Sequence, residues 1–163
     1  MKNFEKIDRG FETVQTMISM IFFIIMLFLG AVQVIGRYAF SASPPWCEEL
    51  IRFSCIWMVF IGSGLTIRDD AHVSVDILLG FMKNNKARCW LYVISRLTAV
   101  VFLILFFPAS IDLIVRSGSS RAAALPLPYT YVYLAIPVGI VSMLLSYVSA
   151  IPKYSIKYKK GEL

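Results

Sequence analysis

Apolar residues in this chain fall into four long blocks, and charged residues gather between them. The first block runs from about Val14 to Gly36 and is uncharged between Glu12 and Arg37. At about 1.5 Å per residue it can cross a hydrocarbon core of roughly 30 Å. The second runs from about Trp46 to Ile67, but its charge-free part, Phe53 to Ile67, is too short to span alone. The turn carrying Glu48, Glu49 and Arg52 must therefore sit at the membrane surface or inside a protein contact. The third block runs from about Trp90 to Val115, with Arg96 and Asp112 near its ends and Pro108 inside. A proline there predicts a kink. The fourth runs from about Thr130 to Ile151. Tyr129, Tyr131 and Tyr133 at one end, with Tyr147 and Tyr154 at the other, match interfacial aromatic belts. The pattern predicts an all-α integral membrane protein: four transmembrane helices forming a single membrane domain over 1–163.

The connections are short. Val73, Ile77 and Phe81 share one helical face, with Leu78 and Met82 beside it and Asp76 and Lys83 off it. This predicts an amphipathic surface helix over about 73–83, ended by Asn84-Asn85. Ser117-Gly118-Ser119-Ser120 reads as a flexible loop, and Leu125-Pro126-Leu127-Pro128 as an extended lead into span four. Ser41-Ala42-Ser43 loosely fits a signal-peptide cleavage site. The apolar run before it is too long, and Arg37 intervenes, so an uncleaved span is expected.

Composition agrees with the pattern. Of 163 residues, 58% are hydrophobic and 16% charged, and the mean hydropathy is +0.73. The net charge of +6 does not point to nucleic acid, because Lys and Arg collect in loops and tails. Lys2, Lys6, Arg9, Arg68, Lys83, Lys86, Arg88, Lys153, Lys157, Lys159 and Lys160 all fall on one side if the chain crosses four times. Arg37, Arg52, Arg116 and Arg121 fall on the other. The positive-inside rule then places both termini and the middle loop in the cytoplasm. Cys47, Cys55 and Cys89 lack metal-ligand spacing and would lie at different depths, which predicts free thiols.

Two charged groups flank span two. Glu48 and Arg52 are i, i+4 and can pair on a helix. Glu49 is turned about 100° away and needs a partner of its own. Trp46 suits the interface, Ser43-Pro44-Pro45 suits a helix start, and carboxylates in a first turn complement the helix dipole. The group is thus a capped helix end, a polar contact with another span or subunit, or a proton or ion relay. Arg68, His72 and Asp76 repeat the i, i+4 spacing at the other end, with Asp69 and Asp70 between. His72 is the only histidine, so a metal or catalytic role lacks neighbours, and a network fixing the turn after span two is expected. Arg37 and Arg116 could reach the carboxylates at the first end, and Asp112 could pair with Arg116. Gly62 and Gly64 permit close helix approach. Spans one and four carry almost no inward polar groups. Nothing in them suits a polar ligand at the midplane, where transporters place broken helices.

The ordered set Arg37, Trp46, Glu48, Glu49, Arg52, Trp57, Phe60, Gly62, Arg68, His72, Val75 and Asp76 resembles the small membrane subunit (DctQ-like, Q subunit) of tripartite ATP-independent periplasmic (TRAP) transporters. The shared pattern is an arginine, then W-x-E-E-x-x-R, W-x-x-F-x-G and R-x-x-x-H-x-x-V-D. Where the family often has Leu-Pro after the Val-Asp pair, this chain has Leu79-Gly80-Phe81-Met82. The resemblance implies a bacterial inner-membrane protein, not an enzyme, in a one-to-one complex with a large M subunit. M would bind sodium and an organic acid such as a sialic acid or C4-dicarboxylate, while this chain holds no cofactor, metal or substrate. A periplasmic P protein would dock on the outer face. Arg37, Trp46, Glu48, Glu49, Arg52, Trp57, Arg68, His72 and Asp76 would be subunit-interface or structural residues. Two rival readings are a four-helix anchor of a redox complex, which usually supplies axial histidines, and a small homo-oligomeric transporter.

Overall fold

The computed structural model describes residues 2–41, 44–68, 85–118 and 120–160. The elements are α1 (Lys2–Phe40), α2 (Pro45–Arg68), α3 (Asn85–Ser117), α4 (Thr130–Tyr133) and α5 (Ala135–Lys160). No β-strand occurs among the described residues, and the fold is all-α. Asp8–Phe40, Pro45–Arg68, Cys89–Ser117 and Thr130–Ala150 are each long and apolar enough to cross a membrane. The predicted surface helix over 73–83, with His72 and Asp76, lies outside the described residues.

Local chemistry sets the helix ends. α1 stops where Ser41 takes a φ of 51°, the left-handed conformation that closes many helices. α2 opens on Pro45, and a proline in the first turn forfeits no helical hydrogen bond. Several hydroxyls on the apolar spans are satisfied by their own helix: Ser63 bonds the Val59 carbonyl, Thr66 that of Gly62 and Thr98 that of Ile94. α3 continues unbroken through Pro108.

The long helices pack as a row, α1 on α2, α2 on α5 and α5 on α3. α2 and α5 are therefore central and α1 and α3 peripheral. Only 6% of the most apolar stretch of α1 and of α3 is buried, against 28% for α2 and 44% for α5. Small residues bring the central pair together. A Cβ on Gly139 of α5 would lie 2.6 Å from the Phe60 Cβ and 3.0 Å from the Phe60 carbonyl oxygen of α2. Gly64 of α2 lies against Gln15, Ser142 and Ser146 in the same way. Ile67, Leu103, Ile140, Tyr147 and Ala150 form the core between α2, α3 and α5.

The row has two ends. At the terminal end α1 and α3 begin and α2 and α5 finish. At the turn end lie the α1–α2 and α3–α4 connections. The segment before α4 does not run extended. It folds back on itself, with Ala122 donating to the Leu127 carbonyl at 2.9 Å and Tyr129 to the Ser120 carbonyl at 3.1 Å. Phe53, Ala122 and Val132 are buried beneath this loop.

Candidate functional site

The polar groups most worth reading lie at the two ends of α2. At the turn end, Glu48 and Arg52 pair at 3.2 Å, each side chain 63% exposed. Glu49, one residue on, points elsewhere. One of its carboxylate oxygens accepts the backbone N–H of Ala123 at 2.9 Å and of Ala124 at 3.1 Å. The other accepts Ala124 at 3.1 Å. Glu49 thus fastens the folded loop to the head of α2, and its partner is backbone, which no charge pattern in the sequence could indicate. Trp57 ties three elements together. Its indole N–H donates to the Tyr131 carbonyl at 3.2 Å, and its ring stacks on Phe22 of α1 with centroids 5.8 Å apart. Cys47 is fully buried, and no disulfide joins Cys47, Cys55 and Cys89.

Other residues singled out from sequence stay at the surface. Trp46 is exposed at the head of α2. Arg37 is exposed at the end of α1 and, among the described residues, forms no ion pair with the carboxylates of α2. Arg116 pairs only loosely with Asp112, at 3.7 Å.

The terminal end is different. The Arg68 side chain is only 7% exposed and is held from two helices. Its Nε donates to the Gln15 Oε1 of α1 and the Ser146 Oγ of α5, both at 3.1 Å. Its Nη1 donates to the Asp8 carboxylate and, at 3.3 Å, to the Asp8 carbonyl. Ser149 donates to the same carboxylate at 2.6 Å. The Gln15 amide donates to the Ser142 Oγ, and the Ser146 hydroxyl to the Ser142 carbonyl at 3.1 Å. The guanidinium also lies 5.3 Å above the Phe11 ring. One residue of α2 thereby locks α1 and α5 together. A buried arginine is tolerable only with its donors so satisfied.

This corrects the expectation that spans one and four carry almost no inward polar groups, since Gln15, Ser142 and Ser146 are all buried. Ser142, Ser146 and Ser149 stand at i, i+4 and i+7, one face of α5, and that spacing was the available signal. Asp8 gave none, because α1 is helical well before its apolar block begins, and Gln15 is a single uncharged residue just inside that block with no spacing to mark it. A second buried arginine, Arg96 of α3, lies 5.1 Å above the ring of Tyr92, itself fully buried. Among the described residues no cluster of His, Cys, Asp and Glu could hold a metal ion.

The arrangement is that of an apolar membrane body with polar fasteners at its ends. Known proteins place it. Residues 25–153 match the family model for the DctQ component of tripartite ATP-independent periplasmic transporters. A Haemophilus influenzae protein, named provisionally as a TRAP transporter small permease, is 22% identical over 139 residues, covering 85% of this chain and 84% of that protein. The C4-dicarboxylate TRAP transporter small permease protein DctQ of Rhodobacter capsulatus is 30% identical over 95 residues, 58% of this chain and 42% of that protein. A transporter component is not an enzyme, and a TRAP system is tripartite. With four membrane-spanning helices and most of its length inside the family model, this chain belongs to the DctQ family: it is a multi-pass small permease subunit of a TRAP transporter.

Proposed function

We propose that the chain, as a single membrane domain over 1–163, is the stationary scaffold of its transporter in a bacterial inner membrane. It pairs one-to-one with the large M subunit. M binds sodium and the organic acid and moves them, and no sodium or substrate site lies in this chain. The turn end, with Arg37 and Trp46 exposed on it, faces the periplasm and helps form the surface on which the binding protein docks. Both termini are cytoplasmic. The substrate is an organic acid; the C4-dicarboxylate in the name of the R. capsulatus relative and the sialic acids are the two candidates.

The observation that carries this reading is where polarity is spent. Gln15 of α1, Arg68 of α2 and Ser142 and Ser146 of α5 bond one another at the terminal end, and the spans of α1 and α3 leave large apolar faces outward. A transporter that binds an anion at midplane uses broken helices with inward polar groups there. α1, α2 and α3 are continuous, and the one helix break among the described residues, Leu134 between α4 and α5, is at the turn end. The test is reconstitution in proteoliposomes under a sodium gradient. Uptake is expected with this chain, M and the binding protein together, and none with this chain alone. Uptake by this chain alone would refute the scaffold reading. A reporter fused after Leu163 should be active only in the cytoplasm.

A further inference from the structure

The Glu48–Arg52 pair heads a groove. Glu48, Ile51, Arg52, Cys55, Ile56, Val59 and Phe60 follow one another along one face of α2, and Met26 of α1 forms the opposite wall. The groove is open and holds about 440 Å³. From Glu48 to Phe60 it is about 18 Å long at the helical rise, close to the ~15 Å depth of one bilayer leaflet. Its head is charged and wet, and the rest is apolar.

We infer that this groove is a binding site for one phospholipid with a zwitterionic, primary-amine headgroup, phosphatidylethanolamine in chemical class. Arg52 would take the phosphate, and Glu48 the ammonium. An acyl chain would lie along Ile51, Cys55, Val59 and Phe60. Three observations carry this. Helical side chains lean toward the helix N-terminus, so Arg52 leans back toward Glu48 and the surface, where headgroups are. The two charges are already paired and mostly exposed. A partner helix laid over them would strip their water at considerable cost. A headgroup of matching opposite charges leaves them in the interface and adds charge-assisted hydrogen bonds. Finally, below its charged head the groove is lined by apolar side chains over about the depth of one leaflet, which suits an acyl chain. The inference goes beyond the scaffold reading and does not depend on it.

The experiment uses the full chain in bilayers of equal parts phosphatidylethanolamine, phosphatidylcholine and phosphatidylglycerol. After gentle release into detergent, native mass spectrometry reads the lipid that stays bound. One retained lipid per chain is expected, with the ethanolamine class enriched well above its bulk share. Arg52→Gln and Glu48→Gln should each abolish that enrichment. Val59→Trp, at a position half exposed at 51% and so safe for folding, should fill the groove and abolish retention while circular dichroism stays unchanged. A retained lipid that mirrors the bulk mixture overturns the proposal. So does enrichment that survives both charge variants, or retention that survives Val59→Trp. If a crosslinker on Cys55 instead captures the large subunit of the assembled transporter, the groove seats a helix and the lipid assignment is wrong.

Discussion

The two ends of α2 look alike in sequence and meet opposite fates. Each carries an arginine with acidic residues nearby, at i, i+4 or closer. Arg52 stays in the open, bonded to Glu48 of its own helix. Arg68 is buried and bonded to two other helices. The difference is one of company. Around Arg68, Gly64 removes a side chain, and Gln15, Ser142 and Ser146 fill the space with hydrogen-bonding atoms. Around Arg52 the groove is walled by Cys55 and Ile56 on its own helix and Met26 on another, and the acceptor it finds is the exposed Glu48. An arginine is drawn inside only where acceptors already wait for it.

The contrast can be broken most directly at Arg68. Arg68→Ala leaves Asp8 and Gln15 without their main partner, and truncating one member of a buried pair costs about 3–5 kcal/mol. Unfolding in mild detergent should show it as a large loss of stability. A loss no greater than that of Arg52→Ala would erase the distinction between the two ends.

Next in size is the effect of forcing α2 and α5 apart. Gly139→Ala sets a methyl against the Phe60 backbone carbonyl, which cannot swing aside, and overpacking of this kind costs about 1–3 kcal/mol. Gly64→Ala meets instead the ends of the Gln15, Ser142 and Ser146 side chains. These can move, but only by giving up bonds in the Arg68 network. The alanine at 64 should therefore lose much of its effect in an Arg68→Ala background, while the one at 139 should keep its own. Full additivity at both positions in a double-mutant cycle would argue against a network centred on Arg68.

Smaller again is Glu49→Ala. It removes a charged acceptor from two exposed amides, worth about 1.5–3 kcal/mol when such a bond is well made and less where water replaces it. The expected readout is local: faster hydrogen exchange at Ala123 and Ala124 and proteolysis within 120–128. Unchanged exchange there would mean that the buried Phe53, Ala122 and Val132 hold the loop unaided.

The smallest stability effect belongs to Glu48→Ala and Arg52→Ala, about 0.5 kcal/mol for an exposed i, i+4 pair. A much larger loss in the isolated chain would show that this pair is a structural fastener like Arg68. Its value would then lie inside the fold and not on its surface.

Much of this molecule is legible without its structure. The four apolar blocks, the pairing of Glu48 with Arg52 and the close helix approach at Gly64 all follow from short-range periodicity. So does the family, since its pattern lies in one ordered stretch around α2. What escapes the sequence shares a cause. Asp8 and Gln15 sit more than fifty residues from Arg68, and Ser146 nearly eighty. No local rule relates them. Glu49 visibly needs a partner, but a backbone N–H leaves no mark in a sequence. The two prolines before α4 predict an extended segment, whereas its fold depends on Glu49 and on the apolar contacts beneath it.

What the sequence determined by itself is the class of object: hydrophobic length and charge placement dictate a four-span membrane protein, because backbone groups in lipid must be satisfied within each helix. What only the tertiary structure decided is which polar groups become fasteners and which remain surface. That choice depends on helix order. With α1 and α5 both against α2, Arg68 finds acceptors on either side. The opposite end of the same helix opens along α1 as a groove, and its charges remain at the membrane surface.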